Sequence, residues 1–222
     1  MLVGGMAWYA VGALRVLWSV QDFAAQWRER AQRPAGPDEI VLLALGDSVA
    51  QGIGASTPDR GYVGLLADWL RATTGRPVRV VNVSVTGAKV ADVVRDQLPQ
   101  VSGLRPDVVT LDVGANDAGR TEPEAFRASL RVLLDALPPG AFVADVPWFG
   151  GGRRLAAAQA LSHVLREEVA ARPLGPVAVE AATRDMRWGD YAGDLFHPDD
   201  GGHRRWADAF WAALRERLPA SA

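Results

Sequence analysis

An α/β protein, with a parallel sheet covered by helices on both faces, is what this sequence predicts, and three observations predict it. From Glu39 onward, short apolar runs alternate with amphipathic helical patterns. The runs are rich in β-branched residues, as strands buried on both faces should be. The chain has 222 residues, 49% of them hydrophobic and 23% charged, which suits one core better than two domains or a disordered chain. Strand and helix in strict alternation imply right-handed crossovers, and these place helices on both sides of the sheet.

Residues 1–38 stand apart as a helix and linker before a domain spanning 39–222. Residues 1–14 carry no charge. They lack a basic start and a clear small-residue cleavage site, so they read poorly as a signal peptide. Arg15 also interrupts the apolar stretch before the ~20 residues that a bilayer span requires. Arg15, Ser19, Asp22, Gln26 and Glu29 recur at three- and four-residue steps as a polar stripe, while Leu17, Val20, Ala24 and Trp27 fall on other sides. The segment is therefore an amphipathic helix, and two readings of it stand. It packs on the domain or on a second copy of it, or it lies on a membrane surface, as Trp8, Trp18, Trp27 and the following Arg28, Arg30 and Arg33 suggest. The expected localisation is cytoplasmic or membrane-associated through this helix. Residues 32–38, with Pro34, Gly36 and Pro37, form a linker.

The apolar runs at 40–45, 78–83, 108–113, 141–146 and 177–179 are the five strands. Tyr62, Leu65, Leu66, Trp69 and Leu70 mark the first intervening helix, and Val90, Val93, Val94 and Leu98 the second, both at i, i+3, i+4 spacing. In the third, Thr121 and Glu124 make a capping-box pattern, Pro123 suits the first turn, and Phe126, Leu130, Leu133, Leu134 and Leu137 form one face before Pro138. A fourth helix spans about 153–171. The last, from about His203 to Leu218, buries Trp206, Phe210, Trp211 and Leu214.

Charge and composition exclude some partners. A formal net charge of -2 with a pI near 5.9 gives no overall attraction to phosphate, so nucleic acid is not an expected partner. The absence of cysteine removes disulfides, thiolate metal sites and a cysteine nucleophile.

In open α/β sheets, ligands bind outside the carboxyl ends of the strands, so the loops after each apolar run are where chemistry is expected. Gly46-Asp47-Ser48 follows the first strand. Ser84-Val85-Thr86-Gly87-Ala88 follows the second, and Gly114-Ala115-Asn116-Asp117 the third. Asp194-Leu195-Phe196-His197-Pro198 arrives just before the last helix. A serine hydroxyl must lose a proton to attack an acyl carbon, and an imidazole with an acid three residues away supplies a base and its orienter. Compactness favours Asp194 over Asp199 or Asp200. Each residue also has a plainer reading. Ser48 suits a helix N-cap, Gly87 and Asn116 suit ordinary turns, and Asp47 and Asp117 suit loop-shaping hydrogen bonds. His163 reads as a surface histidine. His203 with His197 lacks a matched third ligand, so no metal is expected.

These blocks, in this order, resemble the SGNH or GDSL hydrolase superfamily, whose four separated motifs contribute serine, glycine, asparagine and histidine to one site. The resemblance runs from about Val41 to Leu218. It implies a three-layer α/β/α, flavodoxin-like fold with strand order 2-1-3-4-5, preceded here by the extra N-terminal helix. It implies Ser48 as nucleophile, His197 as base and Asp194 as orienter. The backbone N–H groups of Ser48 and Gly87 and the Asn116 amide are the implied oxyanion donors. The implied activity is hydrolysis of small or medium carboxylic esters through an acyl-enzyme, without a cofactor. Acyl transfer to a sugar or other alcohol, and a non-catalytic ligand-binding module, are the alternatives. Trp148, Phe149, Trp188, Tyr191 and Phe196 fall in loops near the expected cleft and are candidate substrate contacts, or a cover for the sheet edge. Ser48 is followed by Val49 and Ala50, so the Gly-x-Ser-x-Gly elbow of α/β-hydrolases is absent. Gly52-Ile53-Gly54 completes neither a dinucleotide fingerprint nor a Walker loop.

Overall fold

The computed structural model describes residues 2–34, 36–150 and 152–217, and within the first helix it does not describe the side chains of 2–11 and 13. Trp8, Ala35, Gly151 and the expected helix end at Leu218 therefore lie outside the described residues in whole or in side chain.

Five parallel strands make one sheet, ordered β2-β1-β3-β4-β5. They are β1 (Ile40–Gly46), β2 (Val78–Asn82), β3 (Val108–Asp112), β4 (Phe142–Ala144) and β5 (Gly175–Val177). Register is set by pairs such as Leu42 with Val80 and Val108, and Gly46 with Asp112. Because side chains alternate along a strand, each strand feeds two cores. Leu42, Ala44, Val80 and Phe142 face one helical layer, and Leu43, Leu45, Val81 and Val143 the other.

The helices are α1 (Leu2–Gln32), α2 (Ser48–Gln51), α3 (Tyr62–Thr74), α4 (Val90–Asp92), α5 (Pro123–Asp135), α6 (Gly152–Ala170), α7 (Val179–Thr183) and α8 (Asp200–Arg215). The first core packs against α1, α3 and α8, where Tyr62 stacks on Phe210 at 4.8 Å between ring centroids. The second packs against α4, α5 and α6 through Phe126, Leu130, Leu133 and Leu161. The helix α1 lies along the edge strand β2 and buries Val16, Phe23 and Trp27, while Arg79 of β2 donates to Ala31 O at 2.6 Å. A covered edge strand is withdrawn from pairing with another chain.

Several boundaries differ from the sequence expectations, each for a local reason. The fifth strand occupies 175–177, not 177–179, because β5 is an edge strand in which Pro176 interrupts no second ladder, and Val179 opens α7. The capping box at Thr121 and Glu124 does not form. Glu122 is the N-cap of α5 without a side-chain bond, and the Thr121 hydroxyl donates to Asp117 Oδ1 at 2.8 Å. The second helix is not regular. After α4, residues Val93–Gln97 widen into a π turn and Leu98–Val101 tighten into a 3₁₀ turn containing Pro99. The last helix begins at Asp200, three residues before His203, because Asp199 caps it by accepting from the N–H groups of Gly201 and Gly202. The polar stripe on α1 is incomplete as a guide, since Leu17 and Trp18 are exposed.

Candidate active site

β1 ends at Gly46, whose φ of +144° and position against β3 exclude a side chain: a Cβ there would lie 2.1 Å from Asp112 O. Its backbone is held in plane by fully buried Gln97, which accepts from Gly46 N at 2.9 Å and donates to Gly46 O at 2.7 Å. The π turn is what brings Gln97 to this position, and such turns recur at functional sites. Asp47 then caps α2 by accepting from Val49 N, so buried Ser48 stands at the first position of a short helix at the carboxyl edge of the sheet.

The loop after β3 reaches the same turn. Asn116 Nδ2 donates to Asp47 Oδ2 and to Ala88 O, both at 3.1 Å. Asp117 accepts from Val90 N and from the Thr121 hydroxyl, tying this loop to the start of α4. The Gly87 turn after β2 is fixed by Gln51, whose Oε1 accepts from both the N–H and the hydroxyl of Thr86. Gly87 has a φ of +83°, and a Cβ there would meet nothing within 4 Å. Its glycine is required by backbone conformation and not, as close approach to other backbone would have it, by crowding within the chain.

The acid and imidazole share one loop. His197 Nδ1 lies 2.6 Å from Asp194 Oδ2, while Asp194 Oδ1 accepts from the N–H groups of Phe196 and His197, each at 3.0 Å. Burial pushes the Asp194 carboxyl up, but the hydrogen bonds from the His197 ring and from the two N–H groups outweigh it and hold its pKa below the ordinary value. An ionised carboxylate only accepts, so Nδ1 carries a proton, and in the neutral ring Nε2 presents a lone pair. The turn between the two residues puts Leu195 at a φ of +56°, a left-handed conformation that costs a branched residue about 1 kcal/mol or more and leaves its side chain exposed. Asp199 and Asp200 are engaged elsewhere, Asp199 at the cap of α8 and Asp200 with the N–H and hydroxyl of Ser56.

Two residues without a sequence signal dock the serine turn on the histidine loop. Gly54, with a φ of +97°, lies where a Cβ would be 2.2 Å from Pro198 O and 2.9 Å from His197 Cβ. Buried His203 reaches back from α8, donating from Nε2 to Ile53 O at 3.0 Å and accepting from Tyr62 N at 3.4 Å. It thereby satisfies an N–H of the first turn of α3 that has no helical partner. Burial pulls its pKa down to about 4, so it is neutral near pH 7. Beneath the turn, burial raises the pKa of Asp47 and of Asp112, and like charge adds to each, from Asp117 on Asp47 and from Asp47 and Asp145 on Asp112.

The aromatic candidates divide. Phe149 and Phe196 lie under one guanidinium, that of Arg154, at 4.3 and 4.8 Å to their ring centroids. The Phe196 ring also meets the His197 ring edge-on at 4.9 Å. Trp148 lies instead beside Arg184, its N–H bonded to the Thr183 hydroxyl. Tyr191 bridges Pro198 through the backbone, and Trp188 is exposed. His163 is an exposed partner of Glu167. Among the described residues, no group of three or more histidine, aspartate or glutamate side chains is placed to hold a metal ion.

A parallel sheet in this order, helices on both faces, a serine turn after the first strand and an acid–imidazole loop before the last helix define the SGNH hydrolase fold class. The chain belongs to the GDSL-like lipase/acylhydrolase family, whose model matches residues 44–205. That membership makes it a hydrolase of the ester-cleaving kind. Its fold is similar to that of LAE5, an alpha/beta hydrolase enzyme from the metagenome of Lake Arreo, Spain, with a TM-score of 0.68 and 25% identity over 84% of this chain and 99% of that one. It is also similar in fold to Axe2, an acetylxylan esterase from Geobacillus stearothermophilus (TM-score 0.67, 23% identity, 79% of this chain and 94% of that one). TesA gives a TM-score of 0.68 at 23% identity over 80% of this chain and 99% of that one. In sequence, the uncharacterized protein YpmR of Bacillus subtilis (strain 168) is 31% identical over 99 residues, which cover 42% of this chain and 38% of that protein.

Proposed function

We propose that this chain is a serine esterase that cleaves small or medium carboxylic esters through an acyl-enzyme on Ser48. The observation that carries this reading is the 2.6 Å contact between His197 Nδ1 and Asp194, which leaves Nε2 free to take a proton, in a loop docked by Gly54 on the turn that bears Ser48. His197 takes the Ser48 proton as the hydroxyl attacks the ester carbon, and Asp194 stabilises the imidazolium. The tetrahedral oxyanion is met by the N–H groups of Ser48 and Gly87 and by Asn116 Nδ2, which exchanges one of its two 3.1 Å bonds for it. His197 then protonates the leaving alcohol, and water repeats the sequence to release the acid. Transfer of the acyl group to an added alcohol in preference to water would reassign the chain as an acyltransferase.

A fluorophosphonate probe followed by peptide mapping tests this. One adduct on Ser48, absent in Ser48→Ala and weakened in His197→Ala, is expected, together with a loss of ester turnover of roughly a million-fold in Ser48→Ala. No adduct under conditions that label a control hydrolase would leave a ligand-binding module.

A specific observation also favours the membrane-surface reading of α1. Eight large hydrophobic side chains are exposed among the described residues, and all but Val132 of α5 belong to α1 or to the segments that connect strands and helices. Leu14, Leu17 and Trp18 come from α1, and Val85, Leu195 and Phe196 from the loops that carry Gly87 and His197. We infer that this rim rests on a lipid surface.

A further inference from the structure

Most partly buried arginines in this chain are paired with carboxylates. Arg127 meets Glu167 and Glu168, and Arg172 meets Asp135 and Glu168, all within 2.9 Å. Arg154, half-buried in the first turn of α6, is different. It makes no ion pair and no side-chain hydrogen bond among the described residues. Phe149 and Phe196 hold the guanidinium in place, but an aromatic ring offers no lone pair to its five N–H donors. Burial works against its charge, and Arg120, exposed on the loop after β3 and likewise without an ion pair among the described residues, adds like-charge repulsion. Two cations brought together without a carboxylate are costly in the free protein, and an anion between them removes that cost.

The position of the pair says which anion. Phe196 separates Arg154 from His197, with its ring 4.8 Å from the guanidinium carbon and 4.9 Å from the imidazole. Arg120 follows Asn116 by four residues on the loop that reaches Asp47, and Gly119 of that loop packs on Ala157 of α6. The Arg154 donors therefore stand one side chain away from the base, a span that the length of a small ester covers.

We propose that Arg154, assisted by Arg120, binds a phosphate or carboxylate carried by the ester substrate itself, so that the site selects anionic esters. This rests on the esterase reading above. A neutral ester leaves the two guanidinium groups unpaired in the complex, whereas an anionic one supplies two acceptor oxygens to a planar fork of donors. The charge can sit on the alcohol side, as in a phosphorylated glycerol, or at the far end of the acyl chain, as in the half-ester of a dicarboxylic acid.

Two matched pairs of esters separate these sources: monododecanoyl glycerol against its phosphate, and nitrophenyl hexanoate against nitrophenyl hydrogen adipate. With the full chain, kcat/KM for the anionic member of one pair should exceed that for its neutral partner on the order of 10- to 100-fold, the contribution of a charge-assisted hydrogen bond. The ratio should fall as salt is raised. It should collapse toward one in Arg154→Gln and decrease in Arg120→Gln, which provides a second variant if the first folds poorly. A wild-type ratio at or below one in both pairs, or a ratio unchanged by Arg154→Gln, overturns the proposal. In either case neutral-ester turnover and the Ser48 adduct would still stand, and the esterase reading with them. Absence of turnover for all four esters together with absence of the adduct would remove both.

Discussion

His203 does its work by not titrating. Its folded pKa near 4 lies below the ordinary 6.5, so between those values the unfolded chain binds a proton that the folded chain refuses. Stability therefore falls as pH drops from 6.5 toward 4, by about 3 kcal/mol if the whole difference is expressed. Asp47 and Asp112 have the opposite sign, because their raised pKa values favour the protonated form in the folded state and add stability as pH falls. The clean measurement is consequently a difference: urea unfolding of the wild type and of His203→Gln at pH 7.5 and pH 5, in which the carboxylate contributions cancel. The wild type should lose more stability on acidification than the variant, and equal losses would contradict a neutral buried imidazole. At the proposed oxyanion donor, Asn116→Ala should lower kcat by about 10²- to 10³-fold with a smaller change in KM. Ser48, Asp194, His197, Gly87 and Asn116 could be picked out in the sequence as candidates, because their blocks are local and follow strands or precede the last helix. Gln51, Gln97, Gly54 and His203 were not. Their partners lie 31 to 150 residues away, and no local pattern encodes a bond of that span.

At the scale of elements, α1 touches both halves of the candidate site. Gly12 packs backbone to backbone on Gly193, the neighbour of Asp194, and a Cβ at Gly12 would lie 2.7 Å from Gly193 Cα. Further along, Trp27 Nε1 donates to Gln51 O at 2.9 Å, and the Gln51 side chain donates to Val20 O while accepting from Thr86. The helix thus bears on the acid loop through one contact and on the Gly87 turn through another. Glycine inside a helix usually costs ~1 kcal/mol relative to alanine, so propensity alone would make Gly12→Val nearly neutral or stabilising. The clash is with backbone, which cannot rotate away, and it decides the sign. Gly12→Val should lower the melting temperature and reduce kcat, and a variant with unchanged turnover would show that the Gly12 contact does not support the acid loop. Gln51→Ala should lower kcat more than it changes KM, since it releases Thr86 beside a proposed oxyanion donor, at a stability cost of about 1–3 kcal/mol for buried partners left unpaired. The alternation of strands and helices was readable because periodicity is a local property. The shift of β5, the irregular second helix and the missing capping box were not, because edge position, the reach of Gln97 and the competition of Asp117 for the Thr121 hydroxyl are settled by tertiary neighbours.

Over the whole molecule, the two faces of the sheet consume most of the large apolar side chains among the described residues, and the alternation that predicted the fold also predicts both cores. What remains outside is unevenly spread. Trp18 is 78% exposed and Leu17 66%, on a helix whose opposite face is buried, and Leu195 is displayed by a left-handed turn that the acid–imidazole pair requires. No helix among the described residues is long and apolar enough to cross a membrane, so an attachment through this rim would be to the surface of a bilayer. The leucines and tryptophan of α1 point the same way from the helix, at i, i+3 and i+4 from Leu14, and the loops that carry Gly87 and His197 expose Val85, Leu195 and Phe196. On the proposed reading, a lipid surface covers these side chains while presenting ester groups to the serine turn. Full-length protein should therefore co-sediment with phosphatidylcholine vesicles, and a variant carrying Leu14→Ser, Leu17→Ser and Trp18→Ser should bind them at least tenfold more weakly, because each buried side chain of this size contributes ~1.5–3 kcal/mol. Light scattering in the absence of lipid separates the remaining occupant of this face. A monomer that binds vesicles supports the surface reading, whereas a dimer that the triple substitution dissociates, with no vesicle binding by either protein, would assign the same helix face to a second copy of the chain.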